Sequence, residues 1–390
     1  MSKKKILFIV NDFGSFSIFI SELCLHLVRE YGVEVSVILP RSKVIEFEDK
    51  LDYRSAGIQL HFVNITRGFN IFRHLLASLK INKIIKTVKP DLVHAHFTAA
   101  IFSTVLFKSR QVRIWGTYHG LGYVVSSGFR KVLLKWIESF GFFRLQKIIV
   151  LNEMDYLEIP SVYKSRTIKA TSIGLGCDLN QFDFNRFTAK DKNSLKLRLN
   201  IQDQIVLAFT GRFVYFKGFD LVAKIFIKLT KKYPDTFKLI LIGGKDPFHS
   251  TGLTRQEEKD LFEHPDVCHT GFTREVDKYL SIADIFVFPS KKEGVPVSIT
   301  EALAMGLPTV TFNSRGCNDL VRNAYNGFLI DPNNTIPEEP DAFIEAIEQI
   351  AFNKELYTKL HKNAMEDRDK LSRQHFINEQ VLWYKKELNL

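Results

Sequence analysis

The chain has 390 residues, of which 45% are hydrophobic and 25% charged, an ordinary globular composition with enough length for two domains. Its longest apolar runs, such as "ILFIV" and "KLILIGG", are far too short to cross a bilayer. Four cysteines without a C-x-x-C motif argue against a disulfide framework or a cysteine metal cluster and favour a reducing cytosol.

The net charge of +11 is unevenly distributed along the chain. Residues 1–185 carry 25 Lys and Arg against 15 Asp and Glu, whereas residues 186–390 carry 29 against 28. A basic half joined to a neutral half predicts that the first half faces an anionic partner. A membrane surface, a phosphorylated ligand and a nucleic acid all satisfy this expectation.

Short β-rich runs alternate with amphipathic helical patterns through most of the chain. "KILFIV" follows a basic start and precedes two polar residues, which predicts an opening strand rather than a signal peptide. The following stretch "SIFISELCLHLVREYG" is predicted to be helical and to end at Gly32. Further first-half strands are predicted at "EVSVIL", "IQLHFV", "DLVHAH", "VRIWGTY", "KIIVL" and "TIKATSIG".

The pattern is interrupted at 178–204, a polar segment without a clear strand, which is predicted to be a linker between domains. Second-half strands follow at "IVLAFTG", "KLILIGG", "DVCHTGF", "ADIFVFPS", "PTVTFNS" and "GFLI". Strands that alternate with helices indicate βαβ units and parallel sheets. The predicted fold is therefore α/β, with two doubly wound, Rossmann-like domains that face each other across a cleft.

Two cations follow the first strand of the second half, in "LAFTGRFVYFKGFD". Arg212 and Lys217 both lie just before a predicted helix start, where free backbone N–H groups and cations together suit phosphates. The ordinary alternative is a strand-to-helix loop with solvated cations. The segment lacks G-x-x-x-x-G-K-[ST] and is not a P-loop.

Two glutamates surround a predicted helix start in "FPSKKEGVPVSITEALAMGLP". The preceding strand is expected to end at Pro289, and the helix to run from about Val297 to Gly306. Acids at a helix N-terminus often only complement its dipole. Glu293 and Glu301 can also accept hydrogen bonds from vicinal sugar hydroxyls. Combined with the two cations, they predict a nucleotide diphospho-sugar as ligand.

This combination of E-x₇-E, an upstream Gly-Arg and Lys, and "SRGCNDLVRNAYNGFLI" resembles the retaining glycosyltransferases of family 4, which have the GT-B fold. The resemblance covers nearly the whole chain. It implies an acceptor-binding domain at 1–180, a nucleotide-sugar-binding domain at 181–372, and a C-terminal helix at 373–390 that packs back on the first domain.

The resemblance also implies roles for the second-half residues. Glu301 would hold the ribose hydroxyls, and Glu293 would contact the donor sugar. The donor diphosphate and its leaving charge would be bound by cations, and backbone contacts to the donor would come from the loop between the glutamates. The corresponding residues are Arg212 and Lys217 for the diphosphate, and Gly294 and Val295 for the backbone contacts.

In the first half, "HGLGY" resembles family members that elongate undecaprenyl-diphosphate-linked sugars. A histidine at a strand end is often structural, but the family places His119 opposite the donor sugar as a catalytic residue. Tyr123 and Gly14 are expected in loops near the acceptor, although Gly14 stands where the family often has Gly-Gly. His94 and His96, which alternate on a strand, are predicted to be mainly structural.

Residues 67–90 and 126–147 are predicted to form basic helices with apolar and aromatic faces. Such helices suit anionic lipid surfaces, although each could equally be an ordinary amphipathic helix with its apolar face in the core. With the charge asymmetry and a lipid-linked acceptor, they predict a cytoplasmic enzyme that is peripheral on the cytoplasmic face of the inner membrane.

The sequence thus predicts a retaining glycosyltransferase that moves a hexose or N-acetylhexosamine from a UDP-sugar to a lipid-linked glycan acceptor in lipopolysaccharide, O-antigen or capsule biosynthesis. No cofactor or metal is expected, because two cations already face the diphosphate. One alternative is a nucleotide-sugar 2-epimerase on the same fold. A binding protein without catalysis and a nucleic-acid binder are the others, the last without any nucleic-acid motif.

Overall fold

A computed structural model of the chain describes residues 3–41, 53–66, 68–107, 112–291, 293–332 and 340–390. It separates into two compact units, Met1–Thr171 with Phe376–Leu390, and Ser172–His375. Each unit contains one parallel sheet with helices between its strands. The predicted α/β class, with two Rossmann-like domains, is confirmed.

The first unit is built on seven parallel strands within the described ranges, in the order β3-β2-β1-β4-β5-β6-β7. The order reverses between β1 and β4, which is where ligands bind in doubly wound sheets. Its elements are β1 (Lys5–Ile9), α1 (Phe13–Phe19), α2 (Ser21–Tyr31), β2 (Glu34–Leu39), β3 (Ile58–Phe62), α3 (Ile71–Val88), β4 (Leu92–His96), α4 (Thr98–Val105), β5 (Ile114–Tyr118), α5 (Gly128–Arg144), β6 (Lys147–Val150), α6 (Glu153–Glu158) and β7 (Thr167–Lys169).

The first predicted helix is two helices in the structure. Asp12 caps α1 by accepting a hydrogen bond from the Ser15 backbone N–H at 2.7 Å, and the chain breaks helical geometry at Ile20 before α2 begins. Helix α2 ends at Gly32 in a left-handed conformation, as predicted. Gly14 therefore lies inside α1, and its prediction as a loop residue is wrong.

The second unit is built on six parallel strands among the described residues, in the order β10-β9-β8-β11-β12-β13. Its core is continuous from the sheet to the covering helices. Its elements are α7 (Ala189–Arg198), β8 (Ile205–Phe213), α8 (Phe219–Lys232), β9 (Phe237–Lys245), α9 (Arg255–Phe262), β10 (Val267–Gly271), α10 (Val276–Leu280), β11 (Ile285–Phe288), α11 (Val297–Ala304), β12 (Thr309–Phe312), α12 (Cys317–Leu320), β13 (Gly327–Ile330), α13 (Pro340–Ala351) and α14 (Lys354–Glu366).

The polar segment 178–204 is folded as part of the second unit, so its prediction as a linker is wrong. Phe182, Leu195 and Ile201 are buried in the core of that unit. A capping box at Thr188 starts helix α7. Because α7 buries a single leucine among charged residues, its amphipathic pattern is too weak to detect in the sequence.

The last helix, α15 (Arg373–Leu388), belongs to the first unit from Phe376 onward. Tyr384 is fully buried and stacks on Trp115, with ring centroids 5.6 Å apart. Its hydroxyl lies 2.6 Å from Nδ1 of His94 on strand β4. A buried aromatic with a satisfied hydroxyl anchors this helix firmly to the first sheet.

Candidate functional site

The loop after β8 meets the loop after β11 at the carboxyl edge of the second sheet. A short 3₁₀ turn, Tyr215–Lys217, leads to Gly218, the N-cap residue of helix α8, which has a positive φ of 75°. A Cβ atom on Gly218 would lie 2.0 Å from the carbonyl oxygen of Pro289. Only glycine permits this approach, and it places Lys217 beside Ser290 and Glu293.

Lys217, Ser290 and Glu293 form a compact polar cluster. The Lys217 ammonium donates to Glu293 Oε1 at 2.5 Å, and the Ser290 hydroxyl donates to the same oxygen at 2.6 Å. Glu293 is buried, while Lys217 retains some exposure. The structure thus brings together Lys217, which was predicted to bind the diphosphate, and Glu293, which was predicted to contact the donor sugar. It adds Ser290, which the sequence did not single out.

The same loop is fixed from its other side by the segment that follows β12. The Arg315 guanidinium donates to the Glu293 carbonyl at 2.9 Å. A Cβ on Gly316 would lie 2.0 Å from the Gly294 carbonyl oxygen, so "SRGC" packs directly against the loop. The side chain of Val295 packs against Gly174, where a Cβ would lie 2.5 Å from Val295 Cγ1. The backbone of Gly294 and Val295 is therefore held in place before any ligand binds.

Arg212 is placed by the last residues of β8 and is half exposed. Its Nη1 lies 2.5 Å from Oδ2 of Asp246, which directly follows β9. A hydrogen bond from the Phe248 backbone N–H, reinforced by His249 and Arg212, lowers the pKa of Asp246 to about 2. Asp246 thus stays ionised and orients Arg212. Asp246 closely follows a predicted strand, and ligand-binding residues gather at the carboxyl ends of such strands. This position is the signal by which the sequence could have identified it.

Glu301 is the fifth residue of α11 and is partly buried, between fully buried neighbours on both sides. Burial raises its pKa to about 8, with Arg373 opposing the rise and Asp277 adding to it. At neutral pH the side chain therefore holds a proton when no ligand is bound. The sequence suggested a carboxylate that only accepts hydrogen bonds, whereas a protonated Glu301 can both donate and accept.

His119 lies one residue after β5 in the first unit. Its ring stacks on Phe97, with centroids 4.2 Å apart, and its Nε2 lies 3.0 Å from Nδ1 of His96. Burial lowers the pKa of His119 to about 3, so the imidazole is neutral. His119 also lines a cavity of about 240 Å³ together with Asn11, Thr98 and other residues of this unit.

The other first-half candidates, Tyr123 and His94, make hydrogen bonds to residues of the first unit. Tyr123 lies in a turn before α5 and is buried, and its hydroxyl donates to the Glu158 carbonyl at 2.9 Å. His94 contacts Tyr384 and the Thr117 hydroxyl through its two ring nitrogens, consistent with a structural residue.

Two buried acids that the sequence reasoning missed hold the "HGLGY" loop. Glu138 on α5 accepts from the Thr98 hydroxyl at 2.6 Å and from the backbone N–H of Gly122 at 2.9 Å. Asp155 accepts from the backbone N–H of Leu121 at 3.2 Å. The sequence signal for Glu138 was its place inside the aromatic run "WIESFGFF". A glutamate that is buried among apolar residues nearly always has hydrogen-bond or charge partners.

The described residues contain no group of three or more histidine, cysteine, aspartate or glutamate side chains arranged to hold a metal ion. The Asp-x-Asp of 367–369 lies at the end of α14, and Asp367 pairs there with Arg322 and Lys370. Among the helices described, none is both long and apolar enough to cross a membrane.

Comparison with known proteins identifies two family models along the chain. Residues 17–181 match Glycosyltransferase Family 4, and residues 191–367 match Glycosyl transferases group 1. The chain is 27% identical over 315 residues to the Escherichia coli UDP-Gal:alpha-D-GlcNAc-diphosphoundecaprenol alpha-1,3-galactosyltransferase, covering 78% of each protein. It is 25% identical over 345 residues to the Campylobacter jejuni N,N'-diacetylbacillosaminyl-diphospho-undecaprenol alpha-1,3-N-acetylgalactosaminyltransferase, covering 86% of each.

Solved structures give the same fold. A glycosyltransferase from Rickettsia africae ESF-5 superposes with a TM-score of 0.78 at 18% identity, covering 100% of this chain and 99% of that one. Anabaena HepE in complex with UDP superposes with a TM-score of 0.76 at 17% identity, covering 98% and 99%. At such identities the likeness establishes a shared architecture, that of the GT-B glycosyltransferases.

Proposed function

Because the chain belongs to the glycosyltransferases, with a family 4 model over its first half and a group 1 model over its second, we propose that it transfers a hexose or N-acetylhexosamine from a UDP-sugar to an undecaprenyl-diphosphate-linked glycan. The observation that carries the proposal is the cluster of Lys217, Ser290 and Glu293 near Arg212 at one sheet edge. It combines two cations for a diphosphate with a carboxylate for sugar hydroxyls.

The two cations act on the leaving group. As the bond to the sugar breaks, negative charge grows on the departing diphosphate, and fixed positive donors stabilise that charge. Arg212 and Lys217 are already oriented by Asp246 and Glu293, so little reorganisation is needed when the donor arrives. Loss of one such contact typically costs ~2.7–4 kcal/mol of transition-state stabilisation. We therefore expect turnover without a metal, which assays in excess EDTA test directly.

The glutamates bind the sugars of the donor. Glu293 offers its carboxylate to the transferred sugar, and the backbone of Gly294 and Val295 lines the approach to it. Glu301 binds the ribose hydroxyls, and its protonation allows it to donate to one hydroxyl oxygen while accepting from the other.

A UDP-sugar donor and retention of configuration are supported by the relatives. The Escherichia coli relative is named for UDP-Gal, and the Anabaena structure contains UDP. The two relatives' names specify alpha linkages. Transfer from an α-linked UDP-sugar to an alpha product corresponds to retention, which NMR of the product's anomeric proton would test.

The acceptor is assigned to the first unit, where an apolar and basic surface flanks the His119 cavity. On α5, Phe129 is 82% exposed and Trp136 is 61% exposed, and Phe72 on α3 is 74% exposed. Arg130 and Phe69 line the cavity itself. Exposed aromatics among cations suit an anionic membrane surface, so we infer peripheral binding at the cytoplasmic face of the inner membrane. Arg67, also part of this prediction, lies outside the described residues.

The donor assignment is tested by thermal shift with UDP, GDP, ADP and UDP-sugars. A ligand at 100 times its Kd stabilises the protein by ~2.7 kcal/mol, which is several degrees of melting temperature for a domain of this size. We expect UDP species to give the largest shift and Glu301→Ala to reduce it. Equal shifts for wild type and Glu301→Ala would remove the ribose role, and no shift with any nucleotide would contradict the proposal.

The membrane assignment is tested by co-sedimentation with vesicles. Phe129→Glu with Trp136→Glu should abolish binding to vesicles that contain phosphatidylglycerol, and salt should weaken the wild-type interaction. Leu382→Glu on α15 is a matched control, because Leu382 is 63% exposed and Trp136 is 61% exposed. Wild-type protein that fails to sediment, or equal losses in the double variant and the control, would refute this surface.

A further inference from the structure

His96 and His119 share one hydrogen bond inside the first unit. His96 is the last residue of β4 and is 2% exposed, while His119 follows β5, the neighbouring strand. The 3.0 Å contact joins His96 Nδ1 to His119 Nε2. Since both rings are neutral, one of these two nitrogens carries the hydrogen and the other accepts it.

The outer nitrogens of the pair decide where that hydrogen lies. Within the described part of the chain, His96 Nε2 and His119 Nδ1 are buried and have no hydrogen-bond partner. If His119 donates, the unpaired N–H falls on His96 Nε2, deep in the sheet. If His96 donates, the unpaired N–H falls on His119 Nδ1, on a ring that lines a cavity. Each arrangement leaves one unpaired N–H, which is costly when buried, but only the second leaves it on a ring beside a cavity, where an oxygen of a bound ligand can accept it.

We therefore propose that His96 is a positioning residue for His119: its Nδ1–H donates to His119 Nε2 and fixes the tautomer in which His119 Nδ1 carries a hydrogen. In this state His119 is a hydrogen-bond donor toward an oxygen of a sugar bound in the cavity, and it is not a general base. The inference rests on the proposed glycosyl transfer for its consequence, whereas the tautomer itself does not depend on that function.

The rings around the pair hold this arrangement. Phe97 stacks on the His119 ring, and Phe19 meets it edge-on at 4.6 Å between centroids. On the other side, the His94 ring lies 4.2 Å from His96, with its own two nitrogens already bonded to other side chains. The His119 ring thus has little freedom to flip, so the identity of residue 96 controls which nitrogen of His119 is protonated.

The test is a long-range ¹H–¹⁵N correlation spectrum of histidine-labelled protein, with His119→Gln used to assign the His119 signals. We expect wild type to show His119 protonated at Nδ1. His96→Asn, whose amide can donate from nearly the Nδ1 position, should keep that tautomer, whereas His96→Leu should lose it. A wild-type His119 protonated at Nε2, or an unchanged His119 spectrum in His96→Leu, would overturn the proposal.

Kinetics test the consequence separately. His96→Leu should lower turnover by up to about 100-fold, with the donor KM little changed, and His96→Asn should restore most of the loss. If wild type shows the predicted His119 tautomer but turns over no UDP-sugar, the proposed function is refuted and the positioning of His119 by His96 still stands. If His96→Leu loses the His119 tautomer but keeps wild-type turnover, the tautomer does not matter for catalysis, and the functional consequence of the proposal is refuted.

Discussion

Replacing Glu301 with glutamine should make the protein more stable at alkaline pH. Burial raises the Glu301 pKa from 4.5 to about 8, so the folded protein holds a proton there that the unfolded chain releases. The stability associated with this proton is complete below about pH 4.5 and is lost as the pH rises to about 8. Glutamine has a similar shape and cannot ionise, so the variant does not suffer this loss.

The size of the effect follows from the pKa difference. One pKa unit corresponds to 1.36 kcal/mol, so the full shift sets an upper limit of about 5 kcal/mol. Residual water access at Glu301 reduces this figure. A change of 1 kcal/mol moves the melting temperature by ~2–4 °C in a unit of this size. We therefore expect Glu301→Gln to melt several degrees above wild type at pH 9, with the gap nearly closed at pH 5.

The assay is differential scanning calorimetry of both proteins from pH 5 to pH 9. Glu345→Gln is the control, because Glu345 is an exposed glutamate on helix α13 whose loss should leave the melting temperature unchanged at every pH. A gap between Glu301→Gln and wild type that is independent of pH would refute the raised pKa. A wild type that gains stability relative to the variant with rising pH would refute it more strongly.

Three further outcomes are expected. Lys217→Met should lower turnover by about 10²–10³-fold, because the leaving diphosphate loses a fixed cation, and unchanged steady-state rates would contradict this role. Glu138→Ala should lower the free energy of unfolding by about 3 kcal/mol in calorimetry, because Thr98 and two backbone N–H groups lose their acceptor, while Glu138→Gln should lose less. Tyr384→Phe should cost about 1 kcal/mol through the lost bond to His94, and an unchanged melting temperature would show that this bond contributes nothing.

Prolines at the ends of strands and helices made element boundaries in the second half predictable. Strand β11 ends at Phe288, immediately before Pro289, where the sequence predicted its end, and α11 begins at Val297 as expected, because Pro289 follows the strand and Pro296 precedes the helix. The α1–α2 break could not be predicted, since it depends on a single residue, Ile20, whose backbone leaves the helix without a proline or glycine signal.

The residue types of the candidate site were predictable, but their partners were not. Lys217 and Glu293 were both singled out by the sequence, yet their contact joins positions 76 residues apart and follows only from the sheet order. Asp246 and Glu138 were missed for the same reason. The protonation of Glu301 depends on three-dimensional burial, which a helix-start pattern does not reveal.

The central claim is glycosyl transfer, and acceptor-dependent release of UDP tests it most directly. UDP-sugars are incubated with the purified protein, with and without a prenyl-diphosphate-linked N-acetylhexosamine, and UDP release is measured together with the product mass. We predict that one UDP-sugar releases UDP only when the acceptor is present and adds one sugar to it, and that Glu293→Ala abolishes the signal. UDP release that is independent of acceptor, with no gain in acceptor mass, would contradict the account and favour a nucleotide-sugar epimerase.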